Sequence, residues 1–212
     1  IGRGTAKGEL GRAGRRRVLW PRVPGIAAAQ LLPAVVRGAV GEQPPLPTHA
    51  WMVAGRGIVH SERETMEVRA RAHRLDGIQC WVALPAEHEE VEPSFQHVPA
   101  ASLPCVYREN LMLRIIAGEA FGQRSPVAAC SPMFYIDVLA GAGSHVGHPA
   151  PGQEAAIYVV SGRVRIGSDD FDAGDFVVLD EGERVETLAD ARYLLLGGDA
   201  FVPEPIISWN FV

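Results

Sequence analysis

The chain has 212 residues, of which 47% are hydrophobic, and a net charge of −5. This length is enough for one large domain or two small ones with a buried core. The first 50 residues hold eight Lys or Arg and two acidic residues, which leaves −11 on the rest. An acidic body disfavours direct nucleic-acid binding, because phosphate backbones need clustered basic side chains. No stretch reaches the ~20 apolar residues of a membrane helix, so no membrane partner is predicted.

Residues 1–48 differ in composition from everything that follows. They are rich in Gly, Ala, Arg and Pro and show little strand alternation. Arg15-Arg16-Arg17 before the apolar stretch Gly25–Val36 is typical of a targeting signal, but Pro24 and Pro33 interrupt that stretch. We therefore interpret residues 1–48 as an atypical head that is either disordered, translated out of frame or a divergent segment.

From Trp51 onward, short apolar or alternating runs recur between Gly- and Pro-containing turns. Strands are predicted over Gln79–Leu84, Met112–Ile116, Phe134–Leu139, Ala156–Val160, Phe176–Leu179, Val185–Leu188 and Tyr193–Leu196. Ser161-Gly162 predicts a hairpin turn before Val164 and Ile166. No helical stripe of useful length interrupts this pattern. The body is therefore predicted to be all-β and antiparallel, as a jelly roll or barrel.

The densest polar group in a glycine-rich frame is His60 with Glu62. Residues two apart on a strand face the same side, so both side chains could point into one barrel. An imidazole beside a carboxylate suits a divalent first-row metal. The same spacing also fits a hydrogen-bonded structural pair or an exposed charged strand, and spacing alone leaves all three open.

A second set of histidines lies further along the chain. His145 and His148 precede Glu154, but the spacing is looser than the His-x-His-then-Glu pattern of a cupin metal motif. Val177 stands where that motif would place its last histidine. This half is therefore predicted to be a cupin without a metal.

The three cysteines are Cys80, Cys105 and Cys130. An odd count without a C-x-x-C spacing argues against a disulfide framework or a structural zinc site. Three reduced thiols in a reducing compartment are expected.

Six segments, in order, resemble the pirin family over about residues 51–212. They are Trp51–Arg63 (WMVAGRGIVHSER), Gly77–Pro85 (GIQCWVALP), Glu92–Gln96 (EPSFQ), Ala156–Gly162 (AIYVVSG), Leu194–Gly198 (LLLGG) and Trp209–Val212 (WNFV).

The resemblance implies a bicupin, in which two β-barrels of the double-stranded β-helix type face each other. Residues 49–125 would be the remainder of the N-terminal cupin, which is incomplete, and residues 126–212 the C-terminal cupin. Iron (Fe²⁺) sits in the N-terminal cupin of this family, held by three histidines and one glutamate. His60 and Glu62 match the last two ligands. The upstream His-x-His pair has no counterpart, so iron at low occupancy is expected.

The resemblance also implies a function. Several pirins are similar to quercetin 2,3-dioxygenase, which implies O2-dependent ring opening of a small aromatic, flavonol-like substrate. Glu62 would be a metal ligand that doubles as the catalytic base, and missing ligands would impair activity. The alternatives are a non-enzymatic, iron-dependent regulator that binds a protein partner, or a degenerate inactive cupin. A cytoplasmic monomer is expected.

Overall fold

A computed structural model of the chain describes residues 29–37, 48–58, 66, 70, 72 and 74–203. Within these residues the strands form two antiparallel sheets, and two short 3₁₀ helices span Ala86–His88 and Ala100–Ser102. In the part of the chain so described, no helix is both long and apolar enough to cross a bilayer. The prediction of an all-β body is confirmed.

The smaller sheet has five strands. They are β1 (Ala29–Arg37), β2 (Thr48–Val53), β3 (Arg74–Gly77), β4 (Cys80–Trp81) and β5 (Ser94–Pro99). Their order is β3-β1-β2-β5, and β4 also pairs with β1. Register places Trp51 opposite Gln96 of β5, and His49 opposite Val98. Alternation along β2 then sends His49, Trp51 and Val53 to the face that meets the larger sheet.

The larger sheet contains the remaining nine strands. They are β6 (Cys105–Arg108), β7 (Leu111–Ala120), β8 (Gln123–Arg124), β9 (Met133–Ala140), β10 (His145–Gly147), β11 (Glu154–Ile166), β12 (Asp169–Asp172), β13 (Phe176–Leu179) and β14 (Arg184–Gly198). The main order is β12-β11-β14-β9-β7-β6, with β10 on β14, β13 on β11 and β8 on β7. Strands far apart in sequence are thus neighbours, as in a jelly roll.

Strand β9 is buried on both faces, which explains its nearly unbroken apolar sequence. Phe134 and Ile136 point into the core enclosed by the larger sheet. Met133 and Tyr135 point to the other side and pack against residues of the smaller sheet. The larger sheet therefore encloses its own core and also supports the smaller sheet on its outer face.

A predicted turn and a predicted break between two strands are absent from the larger sheet. The predicted hairpin at Ser161-Gly162 is wrong, because β11 continues through it. The pairing of β11 with β14 shifts register there, and Gly162 has φ +81°. A Cβ at Gly162 would collide with the carbonyl oxygen of Asp190. The glycine therefore marks a bulge inside one long strand.

The predicted break between two strands lies within β14. The runs predicted as separate strands, Val185–Leu188 and Tyr193–Leu196, are parts of this single 15-residue strand. Its first part pairs with β10 and its second part with β9, so one strand serves two neighbours. Local periodicity could not distinguish one long irregular strand from two short ones.

The amino-terminal region contributes a strand where the sequence pattern predicted none. β1 lies within the predicted head and pairs with β2, β3 and β4. The interpretation of residues 1–48 as a head with little strand structure is therefore wrong for residues 29–37. The reason is that cross-strand pairing supplies hydrogen bonds that local alternation does not reveal.

The cupin boundary predicted at residues 125/126 stays a prediction. The strand pairing shows that β6, β7 and β8, which precede it, belong to the larger sheet.

Candidate functional site

The predicted ligands His60 and Glu62 lie outside the described residues, so their placement stays a prediction. What the structure does describe is the chain that leads to them. β2 ends at Val53, and a tight loop, Ala54–Ile58, follows.

This loop is fixed by backbone contacts that require glycine. Gly55 has φ +48°, and a Cβ there would collide with the carbonyl oxygen of Val91. The Arg56 N–H donates to that same oxygen at 3.1 Å, and the Gly57 N–H donates to the Ala54 carbonyl at 2.9 Å. The loop that leads to His60 and Glu62 is therefore bonded to the loop that precedes β5.

An ion pair supports the same contact. The Arg56 guanidinium pairs with the Glu92 carboxylate next to Val91. Both side chains are exposed, so the pair contributes little energy by itself and mainly selects one position of the loop.

His49, which precedes His60 in the chain, is buried between the two sheets. It is 2% exposed, and its Nδ1 has no hydrogen-bond partner among the described residues. Burial lowers the pKa of His49 to about 4, with a further lowering from Arg114 that Asp137 partly opposes. His49 is therefore neutral near pH 7 and belongs to the sheet–sheet junction.

Opposite His49, three charged residues of the larger sheet form a compact network. Asp137 is 1% exposed. Its Oδ1 accepts from Arg192 Nε at 2.8 Å, and its Oδ2 accepts from Arg192 Nη2 at 3.0 Å and from Arg114 Nη1 at 3.3 Å. These bonds satisfy a buried carboxylate that would otherwise be costly. Sequence reasoning missed this network, because its members lie on three strands and share no local motif.

The second set of histidines does not converge. His145 is exposed on β10, and Glu154 is exposed at the start of β11. The ring of His148 packs edge-on against Phe134 at 5.7 Å between centroids, and its Nδ1 accepts from the Ala150 N–H at 3.2 Å. Val177 is 5% exposed within the apolar core.

Among the described residues, no three His, Cys, Asp or Glu side chains cluster as a metal site. This observation does not test the predicted ligands His60 and Glu62, which lie outside the described residues.

The sequence and the fold of this chain are similar to those of known proteins. Residues 135–212 match the model of the Pirin C-terminal cupin domain. A pirin-like protein of Caulobacter vibrioides is 40% identical over 181 residues, which cover 83% of this chain and 62% of that protein. The chain thus spans less than two thirds of that relative. Residues 51–212 alone would cover a smaller share of this chain than the 83% that is matched. The similarity therefore begins upstream of Trp51.

Two solved structures extend the comparison. A quercetin 2,3-dioxygenase from Acinetobacter baumannii is 27% identical with a TM-score of 0.69, over 88% of this chain and 61% of that one. The bacterial pirin YhhW from Escherichia coli, in complex with nickel(II), has a TM-score of 0.58 at 18% identity, over 87% of this chain and 76% of that one. The all-β sheets described above are therefore a cupin fold.

Proposed function

Because the chain belongs to the pirin family, we propose that it is a metal-dependent dioxygenase of flavonol-like aromatic substrates, with His60 and Glu62 as metal ligands. The observation that carries this proposal is the likeness, over most of the chain, to a structure described as a quercetin 2,3-dioxygenase. The nickel complex of a bacterial pirin supports a metal in this fold. Fold alone does not fix activity, so the proposal depends on the site.

The donor set fits iron in kind. One imidazole and one carboxylate suit a divalent first-row metal. Two protein ligands hold it weakly, since a stable site needs more ligands and a supporting shell around them. We therefore expect low iron occupancy and low turnover from this chain.

The roles of the two residues differ. Bound iron would supply Lewis acidity and a fixed position for the substrate hydroxyl. The Glu62 carboxylate would take the proton of that hydroxyl, as a base within reach of it. His60 would serve as a ligand only. The loop Ala54–Ile58 is bonded to the Val91 carbonyl through the Arg56 N–H. It would fix the start of the segment that carries His60 and Glu62.

The test is metal content of the purified full chain by elemental analysis. We expect sub-stoichiometric iron that is lost in His60→Ala and in Glu62→Ala. His145→Ala and Glu154→Ala are matched controls, since both residues are exposed and lie on the larger sheet. Iron that persists in the first pair of variants, or disappears in the second, would contradict the assigned ligands.

Activity is measured separately, as O2-dependent release of CO from quercetin by the iron-loaded chain. Release that depends on Glu62 supports the dioxygenase. A folded, iron-loaded chain that releases none would reject the enzyme and favour the alternative, an iron-dependent regulator with a protein partner. One observation favours that alternative. Tyr107 and Leu139 both pair with Met112, so these two exposed apolar side chains lie on the same face of the larger sheet, where a protein partner could bind.

A further inference from the structure

A thiol and a phenol meet at the junction of the two sheets. Cys80 lies on β4 of the smaller sheet and Tyr135 on β9 of the larger one. Cys80 Sγ and the Tyr135 hydroxyl oxygen are 3.2 Å apart, within hydrogen-bond range for sulfur. Tyr135 is 3% exposed, whereas Cys80 is half-buried and reaches solvent.

Both groups keep their protons near pH 7. Burial raises the pKa of the Cys80 thiol, and the hydrogen bond to Tyr135 only partly opposes this. Burial also raises the pKa of Tyr135 well above its ordinary value. Thiolate chemistry is therefore suppressed at Cys80, because the thiolate is the form that attacks disulfides and peroxides. Hydrogen-atom chemistry remains open to an S–H beside an O–H.

We propose that Cys80 and Tyr135 form a hydrogen-atom relay that moves a sulfur radical onto a buried phenol. A diffusible oxygen-centred radical, which is the one-electron oxidant of this step, takes one electron from the Cys80 sulfur and is reduced to its anion. The S–H bond breaks, and its proton leaves to solvent. The Tyr135 O–H bond then breaks, and its hydrogen atom re-forms the S–H bond. The unpaired electron ends on the Tyr135 phenoxyl oxygen.

The other cysteines show why this pair is distinct. Cys105 Sγ lies 3.8 Å from the carbonyl oxygen of Leu103, and a carbonyl has no hydrogen atom to give. Cys130 is half-buried, and within the described residues no phenol is bonded to it. Cys80 is therefore the thiol for which the structure supplies a hydrogen-atom donor.

The consequence is protection of Cys80 against stepwise oxidation. A sulfur radical near solvent reacts with O2 and leads up the ladder of irreversible cysteine acids. A phenoxyl radical at Tyr135 is held away from solvent between the two sheets. It persists until a reductant supplies one electron and solvent supplies the proton that together re-form the O–H bond. This relay goes beyond the proposed function and needs no bound metal.

The test uses a photo-oxidised ruthenium complex as the one-electron oxidant, followed by rapid freezing and electron paramagnetic resonance. All variants carry Tyr107→Phe, because Tyr107 is exposed and would react directly. We expect a tyrosyl signal in this background and its loss in Tyr135→Phe. We also expect its loss in Cys80→Ser, which keeps a hydrogen bond to Tyr135 but removes the sulfur.

Mass spectrometry of the same samples gives a second readout. We expect the oxidised fraction of Cys80 to rise several-fold in Tyr135→Phe, while that of Cys105 stays constant as an internal control. An unchanged tyrosyl signal in Cys80→Ser would overturn the relay. So would equal oxidation of Cys80 with and without the Tyr135 hydroxyl. Circular dichroism of each variant confirms that the sheets are intact.

Discussion

The larger and smaller sheets differ in what they bury. The larger sheet encloses a core of apolar side chains, including Val177 at the position of a cupin histidine. The junction with the smaller sheet instead contains His49, the Asp137 network and the Cys80–Tyr135 pair. The larger sheet therefore provides an apolar support. The polar groups His49, Asp137 and Cys80 lie where the smaller sheet packs on it.

The largest expected effect is the loss of stability when Asp137, at the centre of the polar junction, is replaced. Asp137→Asn removes the negative charge of the buried carboxylate that accepts from the guanidinium groups of Arg114 and Arg192. We expect a loss of about 3 kcal/mol in the free energy of unfolding, measured by urea titration. Asp172→Asn, which breaks the exposed pair with Arg163, is the matched control and should have little effect. Equal losses would mean that the junction is no more critical than the surface.

The next effect is a pH dependence from His49. Above its unfolded pKa of 6.5 the imidazole is neutral in both states, so this group adds no pH dependence. As the pH falls from 6.5 to about 4, the unfolded chain binds a proton that the folded chain does not. Stability should therefore fall by up to about 3 kcal/mol over this range and no further below it.

His49→Leu should remove this part of the pH dependence, seen in urea titrations between pH 7 and pH 4. His145→Gln is the control, because His145 is exposed on β10 of the larger sheet. The assignment would be wrong if the stability of His49→Leu fell with pH as steeply as that of the unmodified chain.

The smallest effect tests the scaffold half. Val177→His places a histidine where the cupin motif is predicted to have one, but buries an imidazole among apolar side chains. We expect a loss of about 2 kcal/mol in the free energy of unfolding and no gain in bound metal. Val178→His is the control, since this neighbour on β13 is 41% exposed. A new stoichiometric metal would show that His145 and His148 can converge after all.

Strand positions were largely predictable, because β9 and β13 carry apolar runs bounded by turn residues. Two errors came from strand pairing that the local sequence does not show. Gly162 looked like a turn because local sequence does not show that β11 and β14 pair through an irregular register. β1 was missed because pairing with three other strands supports it.

The candidate site was predictable in part. His60 and Glu62 stand out by type and spacing, and their role stays a prediction. Val177 and the loose spacing of His145 and His148 predict that the second half lacks a metal motif, and this stays a prediction. Arg114, Asp137 and Arg192 gave no signal, since an Arg or Asp in a strand pattern is usually a solvated residue.

The sequence by itself determined the all-β class, the family and the glycine-rich approach to His60, because these follow from periodicity and from residues close together in the chain. Only the tertiary structure decided that His49 faces Asp137 and that Cys80 meets Tyr135 across 55 residues. The physical reason is that sheet order and register bring distant residues together. Burial then sets their protonation, and neither is encoded within one segment.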